Sequence, residues 1–539
     1  MAKPGTSSTT VSADIAALKQ MVVEQAARIA ILEEQLRLAV HQRFAPKSEK
    51  LWMRDQSDLF NEAEHLGGAI DTDAASASDV AEITVPEHTR KRGKRKPIDA
   101  SLPRVRVEHD LSDAAKTCPC GCQLTRIGEA VSEQYDIEPA KARVIRNVRF
   151  KYACRTCEGS SHDGPAVTVA PLPAQPIPKS NASPGLLAYI ATSKFQDGLP
   201  HYRLEGILAR SGIELPRATA ASWMIRLGQL VTPIINLMDE TQLAYDVLQM
   251  DETTVQVLKE DGRAAEAKSF MWVRRGGEPG RPIILFDYAA TRAASVPMRI
   301  LAEYKGFLQS DGYAGYTKAG KRDGVISVGC LGHARRKFHD AIKAQKKGAV
   351  STAALAASEG RPTRTPTIAE QALILIRKIY AIEKAAREAR LTPAQRHKLR
   401  NEKARPIWDE LRRWLDAHIG TVPPKSLTGK ALSYLASEWP RLIRVLDDGR
   451  LEVDNNFCEN AIRPFVMGRK AWLFSDTPRG AEASARLYGL IETAKANGLQ
   501  PFEYLKRLFA ELPKATTLAE IEALLPWNVP QPATQSVAA

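Results

Sequence analysis

The sequence predicts a multidomain α+β protein, and three observations support that fold class. The chain has 539 residues, too many for one hydrophobic core, so roughly three or four domains are expected. Apolar residues recur with helical spacing near the N-terminus and again over residues 344–448. Between residues 243 and 343, strand and helix patterns follow one another, which predicts a mixed sheet covered by helices.

The charge balance favours an anionic partner. The chain holds 76 Lys and Arg residues against 62 Asp and Glu residues, a formal net charge of +14, which suits nucleic acid or an acidic membrane surface. No run of about 18 apolar residues occurs, and the first residues lack the basic-then-apolar layout of a signal peptide. We therefore expect a soluble cytoplasmic protein without a membrane partner.

Residues 12–45 carry a seven-residue apolar repeat. Its first position is mostly β-branched and its second mostly Leu, which favours a parallel helix pair. The prediction is a coiled-coil helix that forms a homodimer or a higher oligomer. The alternative is an amphipathic helix packed on its own chain, because Gln25 interrupts the seam. The repeat consists of Ile15, Val22, Ile29 and Leu36 at one position and of Leu18, Gln25, Leu32 and Ala39 at the other.

A basic run ends the predicted linker, residues 46–98. The linker includes the small, polar and acidic segment GGAIDTDAASASD. The basic run would repel itself unless a polyanion neutralised it, so contact with DNA phosphates is predicted, with a solvated linker as the alternative. Its members are Arg90, Lys91, Arg92, Lys94, Arg95 and Lys96.

Residues 99–172 contain a cysteine cluster, with three cysteines in CPCGC and two in CRTC. In a reducing compartment such a cluster predicts a metal site before a disulfide framework. Two short cysteine hairpins can supply the four ligands of a structural Zn²⁺, and the alternatives are a redox role or buried thiols. A β-hairpin is expected over residues 136–154. The candidate ligands are four of Cys118, Cys120, Cys122, Cys154 and Cys157.

Residues 180–240 predict a helical DNA-binding region. Ser183 is placed to cap a helix that starts at Pro184. Two apolar-periodic segments and a Gly-containing turn then resemble a helix-turn-helix, in which Arg217, Thr219 and Ser222 would enter a DNA groove. Any helical hairpin gives a similar pattern, so plain helix packing is the alternative.

Strand periodicity begins at Tyr245. Three strands are followed by helix, strand, short helix, strand and helix, which is the order of a ribonuclease-H-like domain. In that arrangement the first and fourth strands are neighbours, so Asp251 comes close to Asp311. Two close carboxylates repel unless a cation lies between them, and Mg²⁺ commonly uses one or two carboxylates. Glu252 faces the other side of a regular strand, so a supporting role is expected.

The segment 449–512 returns to the predicted catalytic domain with a helix that carries Glu459. The asparagines of DNN are N-cap candidates, and Pro464 is expected to bend or end the helix. The alternative, on the residues alone, is an Asp454 cap and a surface pair between Glu459 and Arg463.

Three further features complete the chain. Residues 344–448 predict an all-helical insertion, and residues 513–539 a C-terminal tail. Cys330 and His333, in CLGH, form a Cys-x-x-His pair that could bind metal. No second pair is evident nearby, so structural support is the favoured interpretation.

The motifs closely resemble transposases of the insertion sequence 66 family, which belongs to the DDE superfamily. The likeness extends to about Leu512, and one departure is the shortened CPCGC, in which two residues usually separate the cysteines. The motifs are FAPKSEKLW, CPCGC with CRTC, MDETTVQV, SDGYAGY, CLGHARRKF, DNNFCENAIRPFVMGRKAWLF and LYGLIETAKANGLQPFEYL.

The resemblance implies a catalytic triad of Asp251, Asp311 and Glu459, with Asp454 as the rival for the third place. It implies two Mg²⁺ or Mn²⁺ ions, with Asp251 shared between them and each other carboxylate on one ion. The DNA partners would be the element's terminal inverted repeats and target DNA, in a nucleoid-associated protein, with accessory proteins of the element possible. Arg463, Arg469 and Lys470 would hold DNA phosphates, although packing or ion-pair roles are equally open.

Two other functions remain open from the sequence. One is a DNA-binding protein whose catalytic domain has become inactive, although all three candidate carboxylates are present. The other is a ribonuclease-H-like nuclease or resolvase that cleaves without strand transfer.

Overall fold

The computed structural model describes residues 8–44, 142–153, 167–171, 173–344 and 366–530. The basic run at residues 90–96 and all five cysteines of the predicted zinc module lie outside the described residues. The linker and its DNA contacts, and the ligands of the zinc module, therefore stay predictions. Among the helices described, none has the length and apolar character needed to cross a lipid bilayer.

The first helix, α1 (Ser8–Phe44), covers the seven-residue repeat. Near its end, Arg37 Nε donates to the Ala344 carbonyl oxygen (2.9 Å) and Glu34 Oε2 accepts from the Leu427 amide (3.0 Å). Only the last turns of α1 make these contacts with the rest of the chain, and the apolar seam is exposed. The exposed seam residues are Leu18, Val22, Ile29, Leu32 and Leu36.

Two short strands, β1 (Lys151–Ala153) and β2 (Val167–Val169), form an antiparallel pair. The hairpin expected over residues 136–154 is not found within the described part of that segment, residues 142–153. Residues 142–150 belong to no strand, and β1 pairs with a segment that follows CRTC. The β-branched composition of residues 136–154 indicates extended chain but does not encode which segment becomes its partner.

Four helices follow, and their bounds match the predicted helical region closely. Ser183 Oγ accepts from the Leu186 amide at 3.2 Å, which confirms the predicted cap. The turn between the second and third helices contains Gly212 at φ +80°, a conformation that favours glycine. The helices are α2 (Pro184–Phe195), α3 (His201–Arg210), α4 (Arg217–Leu230) and α5 (Thr232–Ala244).

A five-stranded mixed sheet forms the centre of the structure. Its strand order is β5-β4-β3-β6-β7, in which β3, β4 and β5 are antiparallel and β6 and β7 run parallel to β3. The predicted succession of elements and the pairing of the first strand with the fourth are confirmed. The strands are β3 (Val247–Gln256), β4 (Lys268–Gly276), β5 (Ile283–Ala289), β6 (Gly306–Gln309) and β7 (Val325–Val328).

Helices connect and follow these strands. After β5 comes α6 (Ser295–Ile300), after β6 comes α7 (Thr317–Gly320), and after β7 comes α8 (Leu331–Lys343). Residues 366–446 are helical where the structure describes them, as predicted, and they share a core with β7 and α8. Their helices are α9 (Ile368–Glu388), α10 (Pro393–Leu399), α11 (Arg405–His418) and α12 (Leu427–Leu442).

The C-terminal part departs from prediction once. Helix α13 (Asn456–Trp472) continues through Pro464, so of the two expected effects of this proline, a bend or an end, the end is excluded. After α14 (Pro478–Ala496) and α15 (Pro501–Glu511), the short helix α16 (Leu518–Glu522) leads into Leu524 and Leu525, which are buried in the core. The predicted tail is therefore part of the folded structure up to about this point, because its apolar residues cover core surface.

One hydrophobic core joins regions that were predicted as separate domains. It combines residues of α2–α5 with one face of β3–β5 and with α13–α15. Leu227, Met271 and Phe465 all belong to this core. The helical region is thus packed on the sheet instead of forming a domain of its own. The opposite face of the sheet has a smaller core that includes Met250, Trp272 and Tyr316.

A buried ion pair holds the helical segment together. Glu383 and Arg400 are each 1% exposed and joined by two hydrogen bonds, at 2.6 and 2.9 Å. Arg396 bonds the same carboxylate and also Glu452, just before α13. Because buried charges need partners, these side chains depend on one another.

We expect Glu383→Gln to lower the free energy of unfolding by about 3–5 kcal/mol, because it leaves the buried guanidinium group of Arg400 without its counter-charge and removes one of the two carboxylates that Arg396 contacts. The matched control is Asp416→Asn, which breaks an ion pair with Arg412 whose carboxylate is 54% exposed. The control should cost less than about 1 kcal/mol. Chemical denaturation measures the free energy of unfolding of both variants. An equal decrease in the two would contradict the importance of the buried ion pair.

Candidate active site

Asp251 lies in the middle of β3, the central strand of the sheet. Its Oδ1 accepts a hydrogen bond from the Glu252 amide at 2.8 Å. Burial raises the pKa of Asp251 well above its usual range, and the negative charges of Glu459, Glu252 and Asp311 raise it further. The ionised form of this carboxyl group is therefore disfavoured unless a cation joins the group.

A buried amide pair aligns the strands that precede two of these carboxylates. Gln249 and Gln309 lie opposite each other across the parallel β3–β6 pair, and Gln249 Nε2 donates to Gln309 Oε1 at 2.8 Å. Gln309 Nε2 donates to two backbone carbonyl groups, one after β7 (3.1 Å) and one before α13 (2.6 Å). Each glutamine comes two residues before its aspartate, so the pair sets the relative position of Asp251 and Asp311.

Asp311 begins the loop after β6. Its Oδ1 accepts from the Tyr313 amide at 3.0 Å, and its carbonyl oxygen accepts from both terminal nitrogens of Arg441 at 3.1 Å. The next residue, Gly312, leaves little room for a side chain, because a β-carbon there would lie 2.9 Å from the Tyr434 hydroxyl oxygen. Arg441 and Tyr434 belong to α12, so the helical segment holds the loop that carries Asp311.

Glu459 lies in the first turn of α13, and its side chain is 3% exposed. Arg336 Nη2 is 3.4 Å from both of its carboxylate oxygens, and His333 Nδ1 is 3.8 Å from Oε1. The start of α13 is held on the sheet by Asn455, whose Nδ2 donates to the Met250 carbonyl oxygen at 2.8 Å. The alternative of a surface ion pair for Glu459 is wrong, because this carboxylate is buried.

Asp454, the rival third carboxylate, holds the start of α13. Its Oδ1 accepts from the Asn456 amide at 3.1 Å, and its Oδ2 accepts from the Tyr380 hydroxyl at 2.8 Å. Burial raises the pKa of Asp454. Glu459 is the strongest charge acting on Asp251. The contacts therefore favour a capping role for Asp454. They leave Glu459 as the third member of a carboxylate group that it forms with Asp251 and Asp311.

Glu252 lies behind this group, on the opposite face of β3. Its buried carboxylate accepts from Arg292 Nε at 2.6 Å and from the Tyr316 hydroxyl at 2.5 Å. The Arg292 guanidinium carbon lies 3.7 Å from the centroid of the Tyr313 ring, and Tyr316 packs edge-on against Trp272. Glu252 therefore ties β3 to the loop after β5 and to the Asp311 loop.

A second group of potential metal ligands adjoins the carboxylates. Within the part of the chain that the structure describes, Cys330, His333 and Glu459 are the one trio whose donor atoms all lie within 4.8 Å of one another. Asp251, Asp311 and Glu459 are thus spread more widely, which is compatible with two ions that share Asp251. Burial lowers the pKa of His333 to about 3, so its imidazole is neutral.

The carboxylate group fits a hard divalent cation. Its donors are oxygens, the ligands that Mg²⁺ and Mn²⁺ prefer. Repulsion among the carboxylates raises the pKa of Asp251, and a cation would relieve that repulsion. Among the described residues, no donor forms a hydrogen bond with the buried Oδ1 of Asn455. This side-chain oxygen, beside β3, is therefore unsatisfied.

The three cations predicted on α13 lie along the helix after Glu459. Arg469 Nη1 donates to Thr253 Oγ1 (3.2 Å) and to the hydroxyl (2.9 Å) and carbonyl oxygens of Thr254. This arginine therefore fastens α13 to β3, which is the packing role left open by the sequence. Arg463 and Lys470 are half-buried on the same helix.

Arg217, at the first position of α4, is exposed. A polar groove runs beside this helix, and no carboxylate is among the residues that line it. Thr219 and Ser222, expected from the sequence to meet DNA, line the groove. The full lining is Lys179, Ser180, Asn181, Ala218, Thr219, Ser222, Trp223 and Arg226.

Sequence reasoning missed the residues that position the carboxylates. Gln249 and Gln309 were not singled out, although a signal was available, since L-Q-x-D occurs both in VLQMDE and in FLQSDG. Arg441 gave no such signal, because it contacts the Asp311 loop across 130 residues of sequence. Sequence reasoning also did not connect Glu459 with Cys330 and His333, because it is far from them along the chain.

Comparisons with known proteins place most of the chain within one family. A model described as "Transposase IS66 family" matches residues 179–483, and the IS66 C-terminal element matches residues 489–527. The zinc-finger binding domain of transposase IS66 matches residues 115–158, and "Transposase C of IS166 homeodomain" matches residues 31–107.

Two relatives from Sinorhizobium fredii align with most of the chain. The uncharacterized protein y4qI is 31% identical over 533 residues, which cover 96% of this chain and 92% of that protein. The uncharacterized protein y4jD is 32% identical over 440 residues, which cover 79% and 80% of the two chains. No solved structure matches the chain.

We expect Asp251→Asn to stabilise the metal-free protein. The folded state holds the Asp251 proton above the ordinary pKa of about 3.9, so the free energy of unfolding of the unaltered protein should fall as pH rises past that value. The advantage of the Asn variant should therefore grow with pH. Thermal unfolding in chelator, from pH 4.5 to pH 8, measures this difference.

The matched control is Asp261→Asn, at an exposed position in the β3–β4 turn. It should leave the pH dependence unchanged. Added Mg²⁺ should stabilise the unaltered protein more than Asp251→Asn. If Asp251→Asn is no more stable than the unaltered protein at any pH, the inferred burial of Asp251 and its repulsion by the neighbouring carboxylates would be contradicted.

Proposed function

The chain belongs to the IS66 family of transposases, and on this premise we propose that Asp251, Asp311 and Glu459 are the catalytic carboxylates of a DDE enzyme. Membership of this family indicates a transposase, that is, a DNA-cleaving enzyme that depends on divalent metal. We propose that it binds the terminal inverted repeats of its own element, cleaves there, and joins the 3′ ends to target DNA.

One observation carries the assignment of the carboxylates. Gln249 pairs with Gln309 across parallel strands, two residues before Asp251 and Asp311. Asp251 lies on β3 itself, and Asp311 follows β6 by two residues, so both are held close to a rigid sheet. Glu459 joins them from α13, and its charge acts strongly on Asp251.

The strand order supports a ribonuclease-H-like catalytic domain. Three antiparallel strands are followed by two that run parallel to the first, and β3 is central. We infer that the helices of residues 366–446 are an insertion in this domain, between α8 and α13. Because α12 contacts the Asp311 loop, the insertion also belongs to the site.

The proposed reaction needs no covalent enzyme intermediate. Water attacks a phosphodiester at the element's end, so that a 3′ hydroxyl is released and the other strand end keeps a 5′ phosphate. The 3′ hydroxyl then attacks a target phosphodiester, joins to its phosphorus and displaces the 3′ oxygen of the target strand. Asp251 and Asp311 would hold one ion, and Asp251 and Glu459 the other. When bound, Mg²⁺ or Mn²⁺ lowers the pKa of the attacking water and stabilises charge on the leaving 3′ oxygen. Hydrogen bonds of Gln309, Arg441 and Asn455 hold the backbone segments that carry the three carboxylates.

DNA contact is proposed at two surfaces. The groove beside α4 offers Lys179 and Arg226 with several hydroxyl and amide groups, and Arg217 lies at the helix start. Such groups bind phosphates through charge and hydrogen bonds. The basic run of residues 90–96 would add a salt-dependent contribution. Four of the five clustered cysteines would bind a structural Zn²⁺ in the zinc-finger segment.

Catalysis tests this assignment directly. The protein, Mg²⁺ and a DNA fragment that carries the inverted repeats flanking the gene should give nicked and joined products. Asp251→Asn should bind the fragment with unchanged affinity but lower the cleavage rate at least about a thousandfold, because it removes several kcal/mol of transition-state stabilisation. Gel shift and product analysis measure the two effects separately.

Matched variants sharpen this test. Asp261→Asn should retain full activity, and Glu459→Gln should behave as Asp251→Asn does. Asp454→Asn should reduce stability but retain cleavage below its unfolding temperature. Full activity of Asp251→Asn would sink the triad, and cleavage without joining would indicate a nuclease. Binding without cleavage by the unaltered protein would indicate an inactive catalytic domain.

We propose that α1 pairs with α1 of a second copy. Its apolar seam is exposed, and the contacts between α1 and the other described residues come from its last turns, through Glu34 and Arg37. Exposed residues at seven-residue spacing suit a self-complementary helix pair. The homodimer would bring two sites to the two element ends.

Ile29→Lys should shift the protein from dimer to monomer at micromolar concentration, because a charge in the seam would be buried on pairing. Val23→Lys is the matched control, since Val23 is exposed on α1 but lies outside the seam. It should leave the dimer intact. Analytical ultracentrifugation distinguishes the two, and a monomeric unaltered protein would contradict the proposal.

A further inference from the structure

Three side chains of different chemistry meet beside the carboxylate group. Cys330 directly precedes α8, His333 lies in the first turn of α8, and Glu459 lies in the first turn of α13. Their donor atoms all lie within 4.8 Å of one another. Of these three side chains, the proposed reaction uses only Glu459. The Cys330 thiol and the His333 imidazole have no part in it.

The donor set suits a softer ion than Mg²⁺. Thiolate, imidazole and carboxylate are the three ligand types that proteins use for Zn²⁺, whereas Mg²⁺ takes oxygen ligands. Three protein ligands with a fourth position for water is the usual arrangement of an open zinc site. Ligand separations below 4.8 Å need only small side-chain shifts to reach bonds of about 2.0–2.3 Å.

His333 provides an independent observation. Its Nδ1 is buried and, in the part of the chain that the structure describes, has no hydrogen-bond partner. Glu459 Oε1 lies 3.8 Å from this nitrogen, beyond hydrogen-bond distance. A buried imidazole nitrogen left without a partner is unfavourable, and an ion bound beside it would remove that penalty.

The surroundings of the other two ligands also suit ion binding. Cys330 Sγ accepts a hydrogen bond from the Asn455 amide at 3.2 Å, a contact that favours sulfur as an anionic ligand. Arg336 Nη2 lies 3.4 Å from both Glu459 oxygens and orients the carboxylate. A carboxylate has two oxygens with about four acceptor positions, so it can keep this contact and still bind an ion.

We propose that Cys330, His333 and Glu459 form a binding site for a Zn²⁺-class ion, distinct from the cysteine-rich zinc-finger segment. Glu459 belongs both to this site and to the carboxylate group. An ion held by Cys330 and His333 therefore withdraws Glu459 from Asp251 and inhibits Mg²⁺-dependent cleavage. This inhibition rests on the proposed function, whereas the binding itself does not.

Co²⁺ is the probe for binding, because thiolate ligands give it a near-ultraviolet charge-transfer band and tetrahedral geometry gives it visible bands. The full chain is first loaded with one equivalent of Zn²⁺ to fill the zinc-finger segment. Added Co²⁺ should then produce both bands. Cys330→Ser should abolish the thiolate band, and His333→Asn should weaken Co²⁺ binding at least about tenfold.

Cys458→Ser is the matched control, since Cys458 is also buried and its sulfur lies 3.8 Å from the Val273 carbonyl oxygen. This variant should keep both bands. The same bands in Cys330→Ser, or no bands in the unaltered protein, would overturn the site. His333→Asn carries the test if Cys330→Ser does not fold, because His333 is partly exposed.

Zn²⁺ inhibition tests the overlap. In excess Mg²⁺, the Zn²⁺ concentration that halves cleavage should rise at least about tenfold in Cys330→Ser and stay unchanged in Cys458→Ser. Equal inhibition of the unaltered protein and Cys330→Ser would overturn the overlap. No cleavage with Mg²⁺ alone would contradict the proposed function instead, and the Co²⁺ bands would still decide the binding site.

Discussion

The buried amide pair between Gln249 and Gln309 is the interaction on which the site depends. It lies between β3 and β6, and Gln309 also donates to the carbonyl oxygens of Gly329 and Glu452. One side-chain amide therefore connects the central strand, the end of β7 and the segment before α13. Three distant parts of the chain that lead to the carboxylates share these hydrogen bonds, and inside a protein an unsatisfied amide is costly.

Local sequence patterns predicted the elements well, and long-range packing accounts for most of the errors. The strand succession and the Ser183 cap followed from residues close together in the chain. The shared core of α2–α5 and the sheet did not, because amphipathic helices reveal an apolar face but not its partner. Pro464 remained within α13 for a related reason, since packing against the sheet outweighs local propensity.

The sequence singled out the carboxylates that the structure places around β3, but not the contacts that each of them makes. Asp454 and Glu459 lie within one short segment, and the sequence offered both for the third position. The Tyr380 hydroxyl and the Asn456 amide bond Asp454, whereas the charge of Glu459 acts on Asp251, and these contacts distinguish the two. Glu252 was likewise placed behind β3 by strand alternation, while its partners Arg292 and Tyr316 come from later loops. Strand geometry gives the direction of a side chain but not what it meets.

The position of α13 late in the chain has a consequence for synthesis. Glu459 leaves the ribosome 148 residues after Asp311, roughly 7–30 s at ordinary elongation rates. Until then the β3–β5 face lacks α13–α15, which complete its core. A nascent chain thus carries two of three carboxylates on an uncovered sheet. On the proposed assignment, the three carboxylates come together only after translation is nearly finished, so a truncated or stalled product would lack the complete set of acids needed to cut DNA.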